Sequence, residues 1–363
     1  MSIAKAILEK AVSLGASDVH MKPNTTPFYR IRGELSESGF PPTSSDDLRC
    51  TVVDILPPHL KKKPEADPEI DFSHYEEGVG RFRVNVFLSR HEPTLAFRHV
   101  KTKIPSLEDL HLPMILEKLA LSENGIILFC GSTSSGKSTS LAAMIHCINM
   151  AQRARIITIE DPVEYVFEDI QSVITQREVG LDTVSFHSAL KYVLRQDPDI
   201  IMIGEMRDQI SLGVALSSAE TGHLVLSTLH TNTAAQSIQR ILNIFPSEER
   251  DQVRLALASN LRAILCQRLV PATRGGVMPA VEIMINTPTV RKLLLENQLE
   301  VLPAAIETGG EDGMQTFNQA LFQMIKSGAV TEADGMAVSP NPEALKMNLQ
   351  GIFLDEGRRI LGG

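Results

Sequence analysis

The stretch GSTSSGKST, residues 131–139, constrains the fold of this chain more than any other part of its sequence. It follows the apolar run IILFC and matches the template G-x-x-x-x-G-K-[ST] in full. Glycines let such a loop turn its N–H groups toward phosphate oxygens, and the helix that follows adds the positive end of its dipole. The pattern therefore predicts a phosphate-binding loop between a buried strand and a helix.

Each position of this loop has an expected role. Lys137 is predicted to reach the terminal phosphates of a nucleotide, and the Ser138 hydroxyl to ligate Mg²⁺. The other positions are expected to contact the nucleotide around them: Gly131, Ser132, Thr133, Ser134, Ser135, Gly136 and Thr139. The alternative is a chance glycine- and serine-rich loop, which the agreement of template and context disfavours.

Acidic residues follow two further apolar runs, RIITIEDPVEY and DPDIIMIGEMRD. The carboxyl ends of parallel strands face the ligand crevice, so these carboxylates are candidates for contacts to a metal ion or to the attacking water. The candidates are Glu160, Asp161, Glu164 and Glu205. For the first run, a surface acidic cluster stays open as an alternative. The second run, which ends in Glu205, matches the Walker B pattern.

TGHLVLSTLHTNTA places His223 and His230 at opposite ends of one apolar strand. A straight strand of this length spans about 23 Å, so the two imidazoles are not expected to share a metal ion. No HExxH motif or Cys/His ligand set argues for zinc. From the residues alone, a structural role for each histidine is the favoured interpretation.

The apolar pattern changes near residue 100. Upstream, DVHMKP, FYRIRGEL, GRFRVNVFLSR and TLAFRHV predict short, half-buried antiparallel strands, and PPHLKKKPEADPE predicts a charged surface excursion. Downstream, IILFC, RIITIE, DIIMIGE and HLVLSTLH alternate with helical stretches, which predicts a mostly parallel sheet buried on both faces. DQVRLALASNLRAILCQRL has helical spacing at Val253, Leu257, Leu261, Ile264 and Leu265, and predicts one long helix.

Composition narrows the classes of function. The chain of 363 residues carries 35 Lys and Arg against 44 Asp and Glu, a net charge of -9, which argues against a general nucleic-acid binder. The opening MSIAKAILEKAVSLG predicts an amphipathic helix rather than a signal peptide, and no stretch approaches the ~18 apolar residues of a membrane span. The four cysteines form no CxxC pair, which fits a reduced cytoplasmic setting.

The four motifs, in this order and spacing, resemble those of the secretion-type ATPases of the PilT/GspE family, which are called Walker A, Asp box, Walker B and His box. Further segments are similar to the PilT/PilU-type retraction ATPases of type IV pili: GASDVH, GRFRVNVF, QREVG, FHSAL, SAETGHLV, EIMINTPTVRKLLLEN and GMQTFNQAL. The resemblance covers nearly the whole chain.

The resemblance implies an α/β protein in which a small PAS-like α+β domain precedes a RecA-like P-loop ATPase domain. We expect the PAS-like domain over residues 1–100, a linker over 101–113, and the ATPase domain, with a helical C-terminal part, over 114–363. The resemblance further implies a cytoplasmic homohexamer, peripherally associated with the cytoplasmic face of the inner membrane. Such a ring hydrolyses ATP with Mg²⁺ to drive pilin subunits out of the pilus. The implied partners are an inner-membrane pilus platform protein and a PilU/PilT paralogue.

Catalytic roles are implied by position in the family motifs. Glu164 is similar to the Asp-box catalytic carboxylate and Glu205 to the Walker B glutamate. His223 and His230 are similar to the His-box pair, which gives them a catalytic rather than a structural role.

Two arginines of the N-terminal domain, Arg83 and Arg98, match family arginines that reach the terminal phosphate when the domains close. Without the resemblance, they are two exposed strand arginines that pair with acids such as Glu76 or Glu77.

The sequence departs from the family in places. PilT-like loops often read GPTGSGKST, whereas Ser132 and Ser134 occupy the proline and second glycine positions here, which we expect to alter loop flexibility and nucleotide affinity. The tail GIFLDEGRRILGG extends past the resemblance, and the absence of a four-cysteine cluster argues against the assembly branch.

Three alternatives to a retraction motor stay open. The first is a pilus assembly or type II secretion ATPase of the same family, since the sequence does not indicate the direction of force. The second is a regulatory ring subunit that binds ATP but hydrolyses it weakly. The third is a DNA translocase, against which the acidic charge and the lack of interleaved aromatic residues both count.

Overall fold

A computed structural model describes residues 3–31, 33–57, 60, 69–100 and 103–352. The chain divides into two compact units, of which the first comprises Met1–Lys103 and Val163–Val166 and the second Ile104–Pro162 and Phe167–Gly363. The expected surface excursion and the C-terminal tail fall largely outside the described residues. Within the ranges given above, no helix is both long and apolar enough to cross a membrane.

The first unit is an antiparallel sheet with two helices. Its strands are β1 (Asp18–Met21), β2 (Phe28–Ile31), β3 (Glu34–Glu37), β4 (Glu69–Glu76), β5 (Gly80–Ser89) and β6 (Glu92–Val100), and its helices are α1 (Ile3–Ser13) and α2 (Ser45–Ile55). The strands lie in the order β3-β2-β1-β6-β5-β4. The predicted antiparallel strands are thus confirmed.

Side-chain alternation explains this sheet. Phe82, Val84 and Val86 of β5 are buried, whereas the residues between them point to the other face. Helix α1 covers the apolar face with residues such as Ile7 and Leu8. The alternating pattern therefore leaves the polar face of the sheet available for arginines.

The second unit is built on a seven-stranded sheet. Its strands are β7 (Gly125–Cys130), β8 (Arg155–Glu160), β9 (Val173–Glu178), β10 (Ile200–Ile203), β11 (Leu224–Leu229), β12 (Leu261–Pro271) and β13 (Val277–Ile285). They lie in the order β13-β12-β7-β11-β10-β8-β9, and every pairing except that of β12 with β13 is parallel. The predicted parallel sheet is confirmed.

Helices surround this sheet and extend beyond it. They are α3 (Ile115–Ala120), α4 (Lys137–Ala151), α5 (Phe186–Val193), α6 (Gln209–Glu220), α7 (Ala234–Ile244), α8 (Arg250–Asn260), α9 (Pro288–Leu295), α10 (Leu302–Thr308), α11 (Phe317–Lys326), α12 (Glu332–Val338) and α13 (Pro342–Leu349). Short 3-10 turns cover Leu194–Gln196, Leu299–Val301 and Gly310–Asp312. The helices α9 to α13 all follow β13, the last strand of the sheet.

The continuous apolar runs of the sequence are explained by burial on both faces of the sheet. Ile126 and Leu128 of β7 pack into one core, while Ile127 and Phe129 pack into a second core on the other side. A strand covered by helices on both sides needs apolar residues at every position rather than at every second one.

The prediction of one long helix over DQVRLALASNLRAILCQRL is wrong. Helix α8 ends at Asn260, and Leu261 begins β12, which pairs with β7 on one side and β13 on the other. Val253 and Leu257 do face the core from the helix, but Ile264 is buried in the strand. Apolar spacing in a short run suits a buried strand as well as a helix, and here sheet pairing decides.

Four parallel strands lead to candidate residues at one edge of the sheet. The loop of residues 131–136 follows β7, Glu160 ends β8, Glu205 follows β10 and His230 follows β11. In parallel sheets this carboxyl edge is where ligands bind, so the fold positions these residues for a common site.

Candidate functional site

The backbone of residues 131–136, called the phosphate loop below, requires its two glycines. Gly131 has a φ of 150° and Gly136 a φ of 88°. A Cβ at Gly131 would lie 2.5 Å from Ser135 Oγ and 2.6 Å from the Gln267 carbonyl oxygen. A Cβ at Gly136 would lie 2.6 Å from Gln267 Nε2. Both positions therefore need glycine for space as well as for conformation.

Ser134 takes an unusual conformation in the same loop. Its φ is 63°, in the left-handed region that disfavours residues with a Cβ. This is the position where PilT-like loops often have glycine. The exposed Ser134 thus carries backbone strain that a glycine would not have.

Lys137 begins α4 and folds back over the loop. Its side chain is 7% exposed, and Nζ donates hydrogen bonds to the carbonyl oxygens of Gly131, at 2.9 Å, and Ser132, at 2.7 Å. These contacts hold the ammonium group inside the curve of the loop. A positive charge at this place can bind phosphate oxygens.

The loop has the groups that a nucleotide phosphate with Mg²⁺ requires. Ser138 lies in the first turn of α4, where its hydroxyl can ligate a metal ion. Ser135 is 4% exposed, and its Oγ has no hydrogen-bond partner among the described residues. An unpaired buried hydroxyl and a buried lysine in a loop with two glycines together fit a phosphate group.

Glu205 and His230 meet at the ends of β10 and β11. His230 Nε2 lies 3.2 Å from Glu205 Oε1, and Arg207 Nη2 lies 2.6 Å from Glu205 Oε2. The Glu205 side chain is 20% exposed, whereas that of His230 is 47% exposed. Thr228 fixes the neighbouring backbone, since its Oγ1 donates to the Gly204 carbonyl at 2.7 Å. A half-buried carboxylate is thus held between two basic side chains.

The electrostatics favour an ionised Glu205. Partial burial raises the pKa of the Glu205 carboxyl, but the hydrogen bond and charge of Arg207, with His230, outweigh this effect and hold the pKa below its usual range. An ionised carboxylate at this place can orient water or the hydration shell of a metal ion.

Glu160, Asp161 and Glu164 have different surroundings. Glu160 is buried at the end of β8, and its Oε1 accepts hydrogen bonds from Thr158 at 2.6 Å and Gln176 at 3.0 Å. Asp161 and Glu164 are exposed. Glu164 belongs to the segment Val163–Val166, which groups with the first unit.

The two histidines lie at opposite ends of β11, as the sequence predicts. His223 is at the amino end, where its Nδ1 lies 2.9 Å from the Ser218 carbonyl oxygen and 3.1 Å from Thr221 Oγ1. The structure therefore brings His230, and not His223, to Glu205 within this chain.

Arg83 and Arg98 lie on the sheet of the first unit. Arg83 Nη2 pairs with Asp71 Oδ2 at 3.1 Å, and Arg98 Nε pairs with Asp18 Oδ1 at 2.9 Å. Both arginines thus pair with acidic residues, as the alternative to a phosphate role expects, but the acids are Asp71 and Asp18 rather than Glu76 or Glu77. Glu76 instead binds Lys5, at 3.4 Å, and His74, at 3.1 Å, at the end of the strand.

Sequence reasoning missed two residues of the site. Arg207 lies two residues after the Walker B glutamate, and a basic residue this near to Glu205 in the sequence is the signal for their contact. Gln267 contacts the phosphate loop from β12. Its one signal is an amide in the middle of the apolar run AILCQRLV, where a buried polar group needs partners.

Comparisons with known proteins identify relatives over almost the full chain. Residues 1–297 match the family described as type II/IV secretion system protein. The type IV pilus ATPase PilU of Pseudomonas aeruginosa is 40% identical over 345 residues, 95% of this chain and 90% of that protein. The type IV pilus retraction ATPase PilT of the same organism is 38% identical over 337 residues, 93% of this chain and 98% of that protein.

A solved structure agrees with these relatives. The crystal structure of the pilus retraction motor PilT with bound ADP superposes with a TM-score of 0.89 at 42% sequence identity. The match covers 95% of this chain and 99% of that one. The expected fold class is thereby confirmed.

Proposed function

Because the chain belongs to the type II/IV secretion system protein family, and within it to the PilT/PilU type IV pilus ATPases, we propose that it hydrolyses MgATP to drive pilus retraction and twitching motility. The observation that carries this proposal is the arrangement at one sheet edge. A complete phosphate loop with a buried Lys137 lies at the edge where Glu205 and His230 are paired. Such a set of residues suits phosphoryl transfer to water.

Binding is assigned to residues 131–139. Backbone N–H groups of the loop and the N-terminus of α4 bind the phosphates of the ATP substrate, and Lys137 exchanges its carbonyl contacts for phosphate oxygens. Ser138 holds Mg²⁺, which when bound neutralises charge on the phosphates and the leaving group. The loop thereby positions the terminal phosphoryl group for attack.

Hydrolysis is assigned to the carboxylates and histidines. Glu205 would orient water beside a bound Mg²⁺. His230 fixes the Glu205 carboxylate through their contact of 3.2 Å. Glu164 is the proposed base for the attacking water, as the Asp-box position implies. His223, at the other end of β11, is proposed as the second His-box residue, with a role separate from that of Glu205.

Arg83 and Arg98 are proposed to read the terminal phosphate from the first unit. Planar guanidinium groups suit phosphate oxygens and the charge of the transition state. If the contacts of both arginines require the terminal phosphate, ATP favours the state in which the domains are closed, and ADP does not. That difference in binding is how hydrolysis would be converted into movement.

Assembly and location follow the family in the proposal. We infer a homohexamer that acts on an inner-membrane pilus platform protein at the cytoplasmic face of the inner membrane. A PilU/PilT paralogue is proposed as a further partner, since the chain is similar to both proteins at nearly full length.

Phosphate release by the purified chain tests the enzymatic part of this proposal. With MgATP the wild type is expected to turn over, and Lys137→Ala to lose on the order of 10²–10³ in rate. Lys191→Ala, which removes a lysine of α5, is the matched control and is expected to keep wild-type turnover. Equal turnover of Lys137→Ala and the wild type contradicts the proposal. Turnover too weak to measure in the wild type supports the regulatory subunit instead.

A further inference from the structure

Gln267 of β12 touches both ends of the phosphate loop. The side chain is 2% exposed, and its Nε2 donates to the Ser135 carbonyl at 2.9 Å. Its Oε1 accepts from Ser140 Oγ, in α4, at 2.8 Å. One buried amide therefore joins the loop to the helix that follows it.

The chemistry of these partners sets the orientation of the amide. The Ser135 carbonyl can only accept a hydrogen bond, so the NH₂ group of Gln267 must face it. The Ser140 hydroxyl can donate, and so it satisfies Gln267 Oε1. All of this takes place in a buried region, where unpaired polar groups are unfavourable. The position of Gln267 is thus well defined.

Holding the Ser135 carbonyl also fixes the next N–H group. The peptide bond between Ser135 and Gly136 is trans, so its C=O and N–H point in opposite directions. With the carbonyl directed to Gln267, the Gly136 N–H is directed away from β12. This N–H belongs to the loop backbone that we assign to phosphate binding.

Steric contacts reinforce the same link. The Gln267 backbone oxygen and Nε2 lie where a Cβ would fall at Gly131 and at Gly136 respectively, each at 2.6 Å. The glycines at both ends of the loop thus pack directly against one residue of β12. A side chain at either glycine position would therefore require Gln267 to move.

We propose that Gln267 is a positioning residue that sets the orientation of the phosphate loop and thereby its affinity for nucleoside diphosphates and triphosphates. Gln267 does not touch the phosphate itself but acts through the Ser135–Gly136 peptide. Because the phosphates that the loop binds are common to ADP and ATP, loss of Gln267 weakens the binding of both nucleotides. The inference rests on the proposed function only in assigning the loop to phosphates.

The test is nucleotide affinity in Gln267→Met, which keeps the length of the side chain and removes both hydrogen bonds. Fluorescent ADP and a non-hydrolysable ATP analogue are titrated into the full chain, below the melting temperature of each variant. We expect about tenfold weaker binding of both nucleotides, with KM for ATP rising more than kcat falls. Gln267→Met that binds ADP like the wild type overturns the proposal.

Two controls separate positioning from loss of stability. Ser140→Ala removes one hydrogen bond of Gln267 but leaves that to Ser135, so affinity should stay near the wild-type value. Asn286→Ala removes an amide that donates to the Ala258 and Leu261 carbonyls, away from the loop. This variant should lower the melting temperature of the protein without weakening its binding of ADP. An equal loss of affinity in Asn286→Ala contradicts a specific role for Gln267.

A second variant keeps the test decisive if Gln267→Met does not fold. Gln267→Glu retains the acceptor for Ser140 but presents an oxygen to the Ser135 carbonyl at pH 8. The same loss of ADP affinity is expected, and wild-type affinity in this variant overturns the proposal. ADP binding needs no turnover, so an inactive wild type would contradict the proposed function and leave this test valid.

Discussion

Arg83 and Arg98 stand directly opposite each other on the antiparallel strands β5 and β6. Opposed residues project from the same face of a sheet, and two like charges there repel each other. Asp71 and Asp18 compensate, since each holds one of the guanidinium groups. The first unit therefore presents two neighbouring arginines on a single face, and planar guanidinium groups suit phosphate oxygens.

This pairing leads to a prediction for the arginines. Arg83→Ala and Arg98→Ala should each lower ATP turnover by about 10²-fold or more, toward the 10³ attributed to arginine fingers. ADP affinity should stay nearly unchanged, because ADP lacks the phosphate that they are proposed to read. Steady-state turnover and ADP titration of the same preparations measure both effects.

The control for these variants is Arg49→Ala, which removes an exposed arginine of α2 that pairs with Glu92 at 3.2 Å. It should keep wild-type turnover. Comparable losses of ADP and ATP-analogue binding in Arg83→Ala would show that this arginine supports the fold and does not read the terminal phosphate.

Glu205→Gln should still bind ATP but hydrolyse it roughly 10²-fold more slowly. The substitution keeps the size of the side chain and removes the charge that is held between Arg207 and His230. Equilibrium binding and phosphate release from one preparation are the measurements. Glu220→Gln at the end of α6 is the matched control. Loss of ATP binding in a folded Glu205→Gln protein is the outcome that rejects this role.

Ser134→Gly should stabilise the second unit. Relief of the left-handed strain is worth ~1–2 kcal/mol, and the added freedom of the unfolded chain costs ~0.4–1 kcal/mol. The first effect is the larger, so the free energy of unfolding should rise by up to about 1.6 kcal/mol. Ser132→Gly, at a position outside the left-handed region, should give no gain. Chemical denaturation measures the free energy of unfolding of both variants. A Ser134→Gly variant that is less stable than the wild type contradicts the strain argument.

Glu282 leads to a prediction about pH. Burial raises the pKa of its carboxyl, and this outweighs the lowering effects of the Ala234 N–H bond, Arg268 and Cys266. A carboxyl whose pKa is raised in the folded state stabilises the fold below its unfolded value of ~4.3 and loses this contribution as pH rises through the folded value. The wild type should therefore lose stability above pH ~4 relative to a variant that cannot ionise.

Glu282→Gln is that variant, because its amide oxygen can still accept from the Ala234 N–H, which donates to Glu282 Oε1 at 2.8 Å. Its melting temperature should equal that of the wild type near pH 4 and exceed it at pH 7. Glu311→Gln, on an exposed 3-10 turn, controls for surface charge. A difference that shrinks with rising pH has the wrong sign and contradicts the argument.

The sequence predicted the parts of the site that depend on local pattern. The phosphate loop, Glu205 and His230 each follow a short apolar strand, and such strands can be predicted from their apolar composition. The prediction of a helix across Leu261 was wrong because pairing with two other strands, β7 and β13, determines the conformation of that segment. The contact of Gln267 with the phosphate loop was not predicted for the same reason, since Ser135 is 132 residues distant from Gln267 in sequence.

The ion-pair partners of exposed strand residues could not be predicted from the sequence for another reason. The partners of Arg83 and Arg98 depend on strand register, which brings Asp18 opposite Arg98 and leaves Glu76 at the strand end. Alternation shows which face a residue occupies but not which residue it meets across the sheet.

Counting surface pili in a strain whose chromosomal gene carries Lys137→Ala tests the central claim most directly. Lys137 is buried inside the phosphate loop, so its loss should stop the motor without removing the protein, whose level is checked by immunoblot. The account predicts more surface pili than in the wild type together with loss of twitching, because pili are made but not withdrawn. Cells without pili would contradict retraction and assign the chain to assembly.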